Sequence, residues 1–189
     1  MLSDRSVSNL ALTGFMGVGK STLGRHLATA LNYRFVDTDE IIEERSGKKI
    51  TQIFADHGEP HFRKLEHELV EEMASWTNTV IATGGGFITQ NNNLELLKQY
   101  SFLVCLWASP TTIYDRVKRQ ENRPLLKTEN PAQKISDLLA ARAKYYKQSD
   151  YIVHTDKRPL RVVAQLVSRQ YQNALNRARS ASQQARKGG

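Results

Sequence analysis

The string Gly14-Phe15-Met16-Gly17-Val18-Gly19-Lys20-Ser21 constrains this chain more than any other stretch. It fits the pattern G-x-x-x-x-G-K-[ST]. The apolar run Leu10-Ala11-Leu12 precedes it, and Leu23, Leu27 and Leu31 follow at a four-residue spacing that predicts a helix over 20–31. A strand, a glycine loop and a helix in that order bring backbone N–H groups and the positive end of a helix to one point. Glycines keep Cβ atoms out of that point, which then suits a phosphate group. Lys20 can reach the β- and γ-phosphates, and the Ser21 hydroxyl can ligate Mg²⁺. The motif points to nucleoside triphosphate binding; the bland alternative is a glycine-rich turn that matches by chance.

The rest of the chain repeats the alternation of strand and helix. Arg34–Asp37, Thr79–Ala82, Phe102–Trp107 and Tyr151–Val153 read as further strands. Helical patterns over 39–46, about 60–74, 92–100, about 131–148 and about 159–176 separate them, with Ser109-Pro110 and Asn130-Pro131 as helix-start signals. The near-continuous apolar run at 102–107 suits a strand buried on both faces. The expected fold is therefore α/β: three layers, with a central parallel sheet of about five strands and helices on both sides. With 189 residues the chain suits one domain, expected over 1–176. The polar stretch at about 118–130, which holds Pro124, is the candidate for a small mobile insert.

A phosphate loop alone does not name the acceptor. The second strand ends Val36-Asp37-Thr38-Asp39, and two carboxylates two residues apart on an extended chain point the same way. They would stand at the carboxyl edge of the sheet, where open α/β folds bind ligands. Asp37 could hold Mg²⁺, and Asp39 could orient or deprotonate an attacking hydroxyl. The alternative use of both is to cap the helix that follows.

With these residues in hand the chain resembles the shikimate kinases, small phosphoryl-transfer enzymes of the nucleoside monophosphate kinase-like P-loop group. The likeness spans roughly 8–172 and rests on GFMGVGKST (14–22), VDTD (36–39), FRKLE (62–66), ATGGG (82–86), RPLL (123–126) and Arg142 in ARAKYY (141–146). It implies Mg-dependent transfer of the ATP γ-phosphoryl group to the 3-hydroxyl of shikimate, a step of chorismate and aromatic amino acid biosynthesis. It further implies that Gly17, Val18, Gly19, Lys20, Ser21 and Thr22 hold ATP, with Arg116 beside the adenine. Arg123, on a small lid at about 118–130, would close onto the phosphates and share catalysis with Lys20 and Asp39. Arg63 and Arg142 would clamp the shikimate carboxylate, Gly84, Gly85 and Gly86 would let backbone approach the ring, and Asp39 would bind its hydroxyls. Ser21 and Asp37 would hold the Mg²⁺.

Composition narrows the remaining classes. The 27 Lys and Arg exceed the 19 Asp and Glu by eight. Residues 177–189 carry four of those cations and no acid, leaving a body with 23 against 19 and a basic tail expected to be disordered. A modest positive balance suits polyanionic substrates without requiring nucleic acid. One cysteine, Cys105, excludes a disulfide framework within the chain. No apolar stretch is long enough to span a membrane, and a cytoplasmic monomer acting on small molecules is expected. The rivals are a related kinase for gluconate or a nucleotide, and a non-catalytic relative that uses its basic tail.

Overall fold

The structure is a computed structural model that describes residue 5 and residues 7–90, 92–118 and 128–187. Five strands form one sheet in the order β2-β3-β1-β4-β5: β1 Asn9–Thr13, β2 Arg34–Asp37, β3 Thr79–Ala82, β4 Ser101–Trp107 and β5 Tyr151–His154. Every pairing is parallel, with Leu12 opposite Ala82 on one side and Val104 on the other. The helices are α1 Lys20–Leu31, α2 Thr38–Ser46, α3 Ile50–Glu72, α4 Asn93–Tyr100, α5 Pro110–Val117, α6 Pro131–Tyr146 and α7 Leu160–Lys187. They flank the sheet, giving the three-layer arrangement that alternating strands and helices predict.

Burial follows sheet order. The inner strands β1, β3 and β4 are buried on both faces, whereas the edge strands β2 and β5 are partly exposed. This is why β1 and β4 read as unbroken apolar runs and β2 does not. Because all strands are parallel, the loops after β1, β2 and β3 emerge at the same rim, and the order β2-β3-β1 makes them neighbours.

Two expectations need correction. The helix expected from about Pro60 begins at Ile50, and the chain breaks direction at Gly58 (φ 78, ψ 174) before continuing. The His57 and His61 rings lie 4.8 Å apart across the break, tilted by 56°. The basic segment after Arg177, expected to be disordered, continues α7 as far as Lys187. Its alanines, glutamines and arginines are good helix formers, and no Gly or Pro interrupts them before Gly188. Lys118 closes α5 and residues 128–130 lead into α6; the core of the expected lid, with Arg123, falls outside the described residues.

Gly14 carries the turn from β1 into the loop. Its φ is 133°, and a Cβ there would lie 2.3 Å from the Leu106 carbonyl oxygen of β4. Both the backbone conformation and the space exclude a side chain. Gly14→Ala is expected to cost about 2 kcal/mol or more and lower Tm by about 5 °C, measured by thermal denaturation. An unchanged Tm would show that β1 and β4 can part at no cost.

Candidate active site

The phosphate loop is built as its residue types demand. Gly19, in the left-handed region (φ 99), caps α1 without any side-chain hydrogen bond, and no acidic residue occupies the first turn. No N-cap side chain thus covers the first N–H groups of α1, and the positive end of the helix lies at the loop. Lys20 Nζ donates to the carbonyl oxygens of Gly14 and Phe15, both at 3.0 Å, so its ammonium is folded back over the loop. Gly17 lies in the left-handed region, where its missing Cβ would meet Val117. Val18 is buried beneath the loop.

Ser21 Oγ donates to Asp37 Oδ2 at 2.6 Å, and Asp37 Oδ1 accepts from the Asp39 N–H at 3.0 Å. Asp37 therefore does cap α2, as the bland reading had it, and also touches the phosphate loop. Asp39 is not on an extended strand with Asp37; it stands in the first turn of α2. The turn still delivers both carboxylates to one cavity.

That cavity, of about 840 Å³, is lined on one side by Gly17, Gly19, Lys20, Ser21 and Thr22 and on the other by Arg63, Glu66 and Arg142. Asp37 and Asp39 lie on its wall with Gly84, Gly85 and Gly86. Phe54 and Phe62, with rings 5.1 Å apart, add an apolar wall from the two halves of α3. The phosphate side and the arginine side thus share one space.

Each of the three consecutive glycines meets a different neighbour. A Cβ on Gly84 would lie 2.6 Å from Asp39 Oδ1 and 3.1 Å from Glu66 Oε1. On Gly85 it would stand 3.3 Å from the Met16 amide nitrogen, and on Gly86 it would strike the Arg63 guanidinium at 2.9 Å. The loop backbone is fixed in turn. The Gly84 N–H donates to buried Thr38 Oγ1 at 2.9 Å. The Gly85 carbonyl accepts from Arg142 at 3.2 Å and from the Tyr146 hydroxyl at 2.6 Å.

The charged groups here are buried, and Arg63 and Glu66 are paired. Arg63 is 8% exposed, Arg142 9% and Glu66 fully buried. Arg63 Nη1 donates to Glu66 Oε2 at 2.6 Å, while Glu66 Oε1 has no hydrogen-bond partner among the described residues. Burial pushes the Glu66 carboxyl up to about 7 against the lowering pull of Arg63, and nearby Asp39 adds to the rise. Arg116 lies apart from the cavity wall. It donates to the Val18 carbonyl at 3.4 Å and to the Thr155 carbonyl at 3.0 Å, joining the phosphate loop to the loop after β5. Cys105 is buried, and burial pushes its thiol up to about 12.

Sequence reasoning missed Thr38, Tyr146 and Glu59. Thr38 stands between the two aspartates, but nothing local marks its bond to Gly84. Tyr146 follows Arg142 by one helical turn, and that i,i+4 spacing was a usable signal.

Fold and loop define the class: a P-loop phosphotransferase whose phosphate-side cavity has a second, arginine-lined half. The comparisons agree. The family model described as shikimate kinase matches residues 16–171. The shikimate kinase of Thermodesulfovibrio yellowstonii is 38% identical over 170 residues, covering 90% of this chain and 98% of the relative. A solved structure, the shikimate kinase from Acinetobacter baumannii in complex with shikimate, is 40% identical with a TM-score of 0.85, covering 89% and 95%. A gluconokinase from Sinorhizobium meliloti shares the fold alone, at 16% identity and a TM-score of 0.56, covering 98% of this chain and 99% of its own. The chain belongs to the shikimate kinase family and is an ATP-dependent kinase. Among the described residues no helix is long and apolar enough to cross a membrane.

The raised Glu66 pKa predicts a pH-dependent stability. The unfolded carboxyl titrates near 4.5 and the folded one near 7, so the fold holds that proton more tightly. Its contribution is complete below pH 4.5 and is lost as pH rises to about 7. Glu66→Gln removes that loss. Over this range the variant's Tm is expected to climb relative to the unaltered protein's in thermal denaturation. A gap that does not change with pH would mean that Glu66 ionises as it does in water.

Proposed function

We propose that this chain transfers the γ-phosphoryl group of ATP to the 3-hydroxyl of shikimate, in the cytoplasm and as a monomer. The observation that carries this reading is the common cavity: Lys20, Asp39, Arg63 and Arg142 all line it. The β- and γ-phosphates take the place now occupied around Lys20 Nζ by two loop carbonyls, meeting the loop amides from Gly17 to Thr22. Arg116, holding the phosphate loop to Thr155, lies on the side assigned to the adenine.

The donor set fits Mg²⁺. The Ser21 hydroxyl and the Asp37 carboxylate are hard oxygens already in contact, and one carboxylate with substrate phosphates is a usual magnesium arrangement. Bound there, Mg²⁺ would neutralise charge on the phosphate oxygens.

Arg142 and Arg63 face the other half of the cavity and would receive the acceptor's carboxylate, which a planar guanidinium can meet with two parallel hydrogen bonds. The bare Gly84–Gly86 backbone lets the ring approach. Asp39, between the two halves, would orient the attacking hydroxyl and accept its proton. The γ-phosphoryl transition state is largely loose, so positioning and charge outweigh base strength. Arg123 is assigned to the phosphates by resemblance alone, since it lies outside the described residues.

A coupled ADP-release assay with shikimate, gluconate and nucleoside monophosphates tests the acceptor. Turnover is expected with shikimate; stronger turnover of either rival would overturn the reading. Asp39→Asn is expected to lower kcat about 100-fold while leaving the ATP KM within about twofold, by steady-state kinetics. Lys20→Ala is expected to cost on the order of 3 kcal/mol in transition-state stabilisation, read from kcat/KM. Arg63→Lys is expected to raise the shikimate KM about tenfold with little effect on ATP, since an ammonium cannot replace the guanidinium fork. Equal damage to both substrates would mean that Arg63 serves another purpose.

A further inference from the structure

Arg63 is held by a second carboxylate that the motif FRKLE does not contain. Glu59 Oε1 accepts from Arg63 Nε at 3.0 Å and from Nη2 at 2.6 Å, while Glu66 takes Nη1. A guanidinium has five N–H groups. Among the described residues three of them are thus engaged, and one N–H remains on each of Nη1 and Nη2. Both Nη atoms, which carry the remaining donors, lie against Gly86, on the cavity wall.

The two carboxylates differ. Glu66 is fully buried, whereas the Glu59 side chain is 49% exposed and the Arg63 side chain 10%. An i,i+4 pair on a helix surface would ordinarily be a solvated contact of little consequence. Here the arginine is buried and lines the cavity, and the glutamate follows the break in α3. Gly58, at φ 78 and ψ 174, turns the chain, and Pro60 starts the second half of the helix, so Glu59 stands at the joint. Burial works against the Arg63 charge, but Glu66 and Glu59 outweigh it and hold its pKa above the ordinary value.

We propose that Glu59 is a positioning residue: with Glu66 it fixes the plane of the Arg63 guanidinium, so that the two remaining Nη donors are presented ready to a carboxylate-bearing acceptor. This rests on the assignment of Arg63 to the acceptor carboxylate. The gain is pre-organisation. A long flexible side chain loses its freedom in the empty protein and not on binding. Glu59 acts through Arg63 and touches neither substrate.

The test is steady-state kinetics on Glu59→Ala, Glu59→Gln, Arg63→Lys and the double variant Glu59→Ala/Arg63→Lys. Glu59→Ala is expected to raise the shikimate KM about fivefold, with kcat and the ATP KM within about twofold. Glu59→Gln, which keeps an acceptor oxygen at the same reach, is expected to recover part of that loss. In the Arg63→Lys background the Glu59→Ala change is expected to add little, because the fork it orients is gone. A shikimate KM that stays the same in Glu59→Ala would overturn the inference. So would a lower KM, which would make Glu59 a competitor for Arg63, or single-variant penalties that multiply in the double variant. If Arg63→Lys itself leaves the shikimate KM unaltered, the assignment of Arg63 falls. If Arg63→Lys raises that KM and Glu59→Ala does not, only the role of Glu59 falls.

Discussion

The backbone of Gly84, Gly85 and Gly86 runs between the phosphate loop and the helices without a Cβ, and the charged groups on the proposed acceptor side close around it. Asp39 and Glu66 converge over Gly84, the phosphate loop backs Gly85, and the Arg63 guanidinium lies against Gly86. Thr38 from α2 and Arg142 and Tyr146 from α6 hold the same backbone by hydrogen bonds. A side chain at Gly84 or Gly86 would push apart groups that reach the cavity from α2 and α3, and one at Gly85 would crowd the phosphate-loop backbone. Sheet order makes the convergence possible. With β3 beside β1, the glycine loop necessarily emerges next to the phosphate loop.

The cost of this arrangement is electrostatic. Two arginines and a glutamate are nearly or fully buried on one side of the cavity, and buried charge is tolerated only when paired. Arg63 meets its requirement with two carboxylates. Glu66 meets only half of its own, and burial raises its pKa against the pull of Arg63. Replacing such a cluster with apolar residues would often stabilise a protein. Its retention here fits a surface built to receive an anion, since a guanidinium already stripped of water binds a carboxylate more strongly than one in solvent.

Much of this was legible in the sequence where the signal is local. The phosphate loop, α1 and all five strands follow from residue type and period, because each is fixed by neighbours within a few residues. Asp37 and Asp39 were legible as candidates, although the extended geometry assumed for them was wrong and the helix turn supplied the convergence instead. Gly58 and Pro60 hid the first half of α3, since punctuation that usually ends a helix here only bends one. The small, polar and basic residues after Arg177 read as a disordered tail, because composition does not show the helix that continues from α7. Glu59, Thr38 and the Gly85–Tyr146 bond were not legible, because their partners are chosen by packing across elements. The arginines stood out only through the resemblance; on their own, Arg63 and Arg142 look like ordinary helix-surface cations.

The central claim is that the phosphate loop and the arginine-lined pocket face each other across one cavity, so the phosphoryl group passes directly from donor to acceptor. Stereochemistry tests this most directly. Shikimate should be phosphorylated from ATP whose γ-phosphorus is made chiral with oxygen isotopes, and the configuration of the product determined. A single in-line transfer predicts inversion at phosphorus. Retention would require an intermediate carried by the protein between two displacements, and would contradict the shared cavity as the place of transfer.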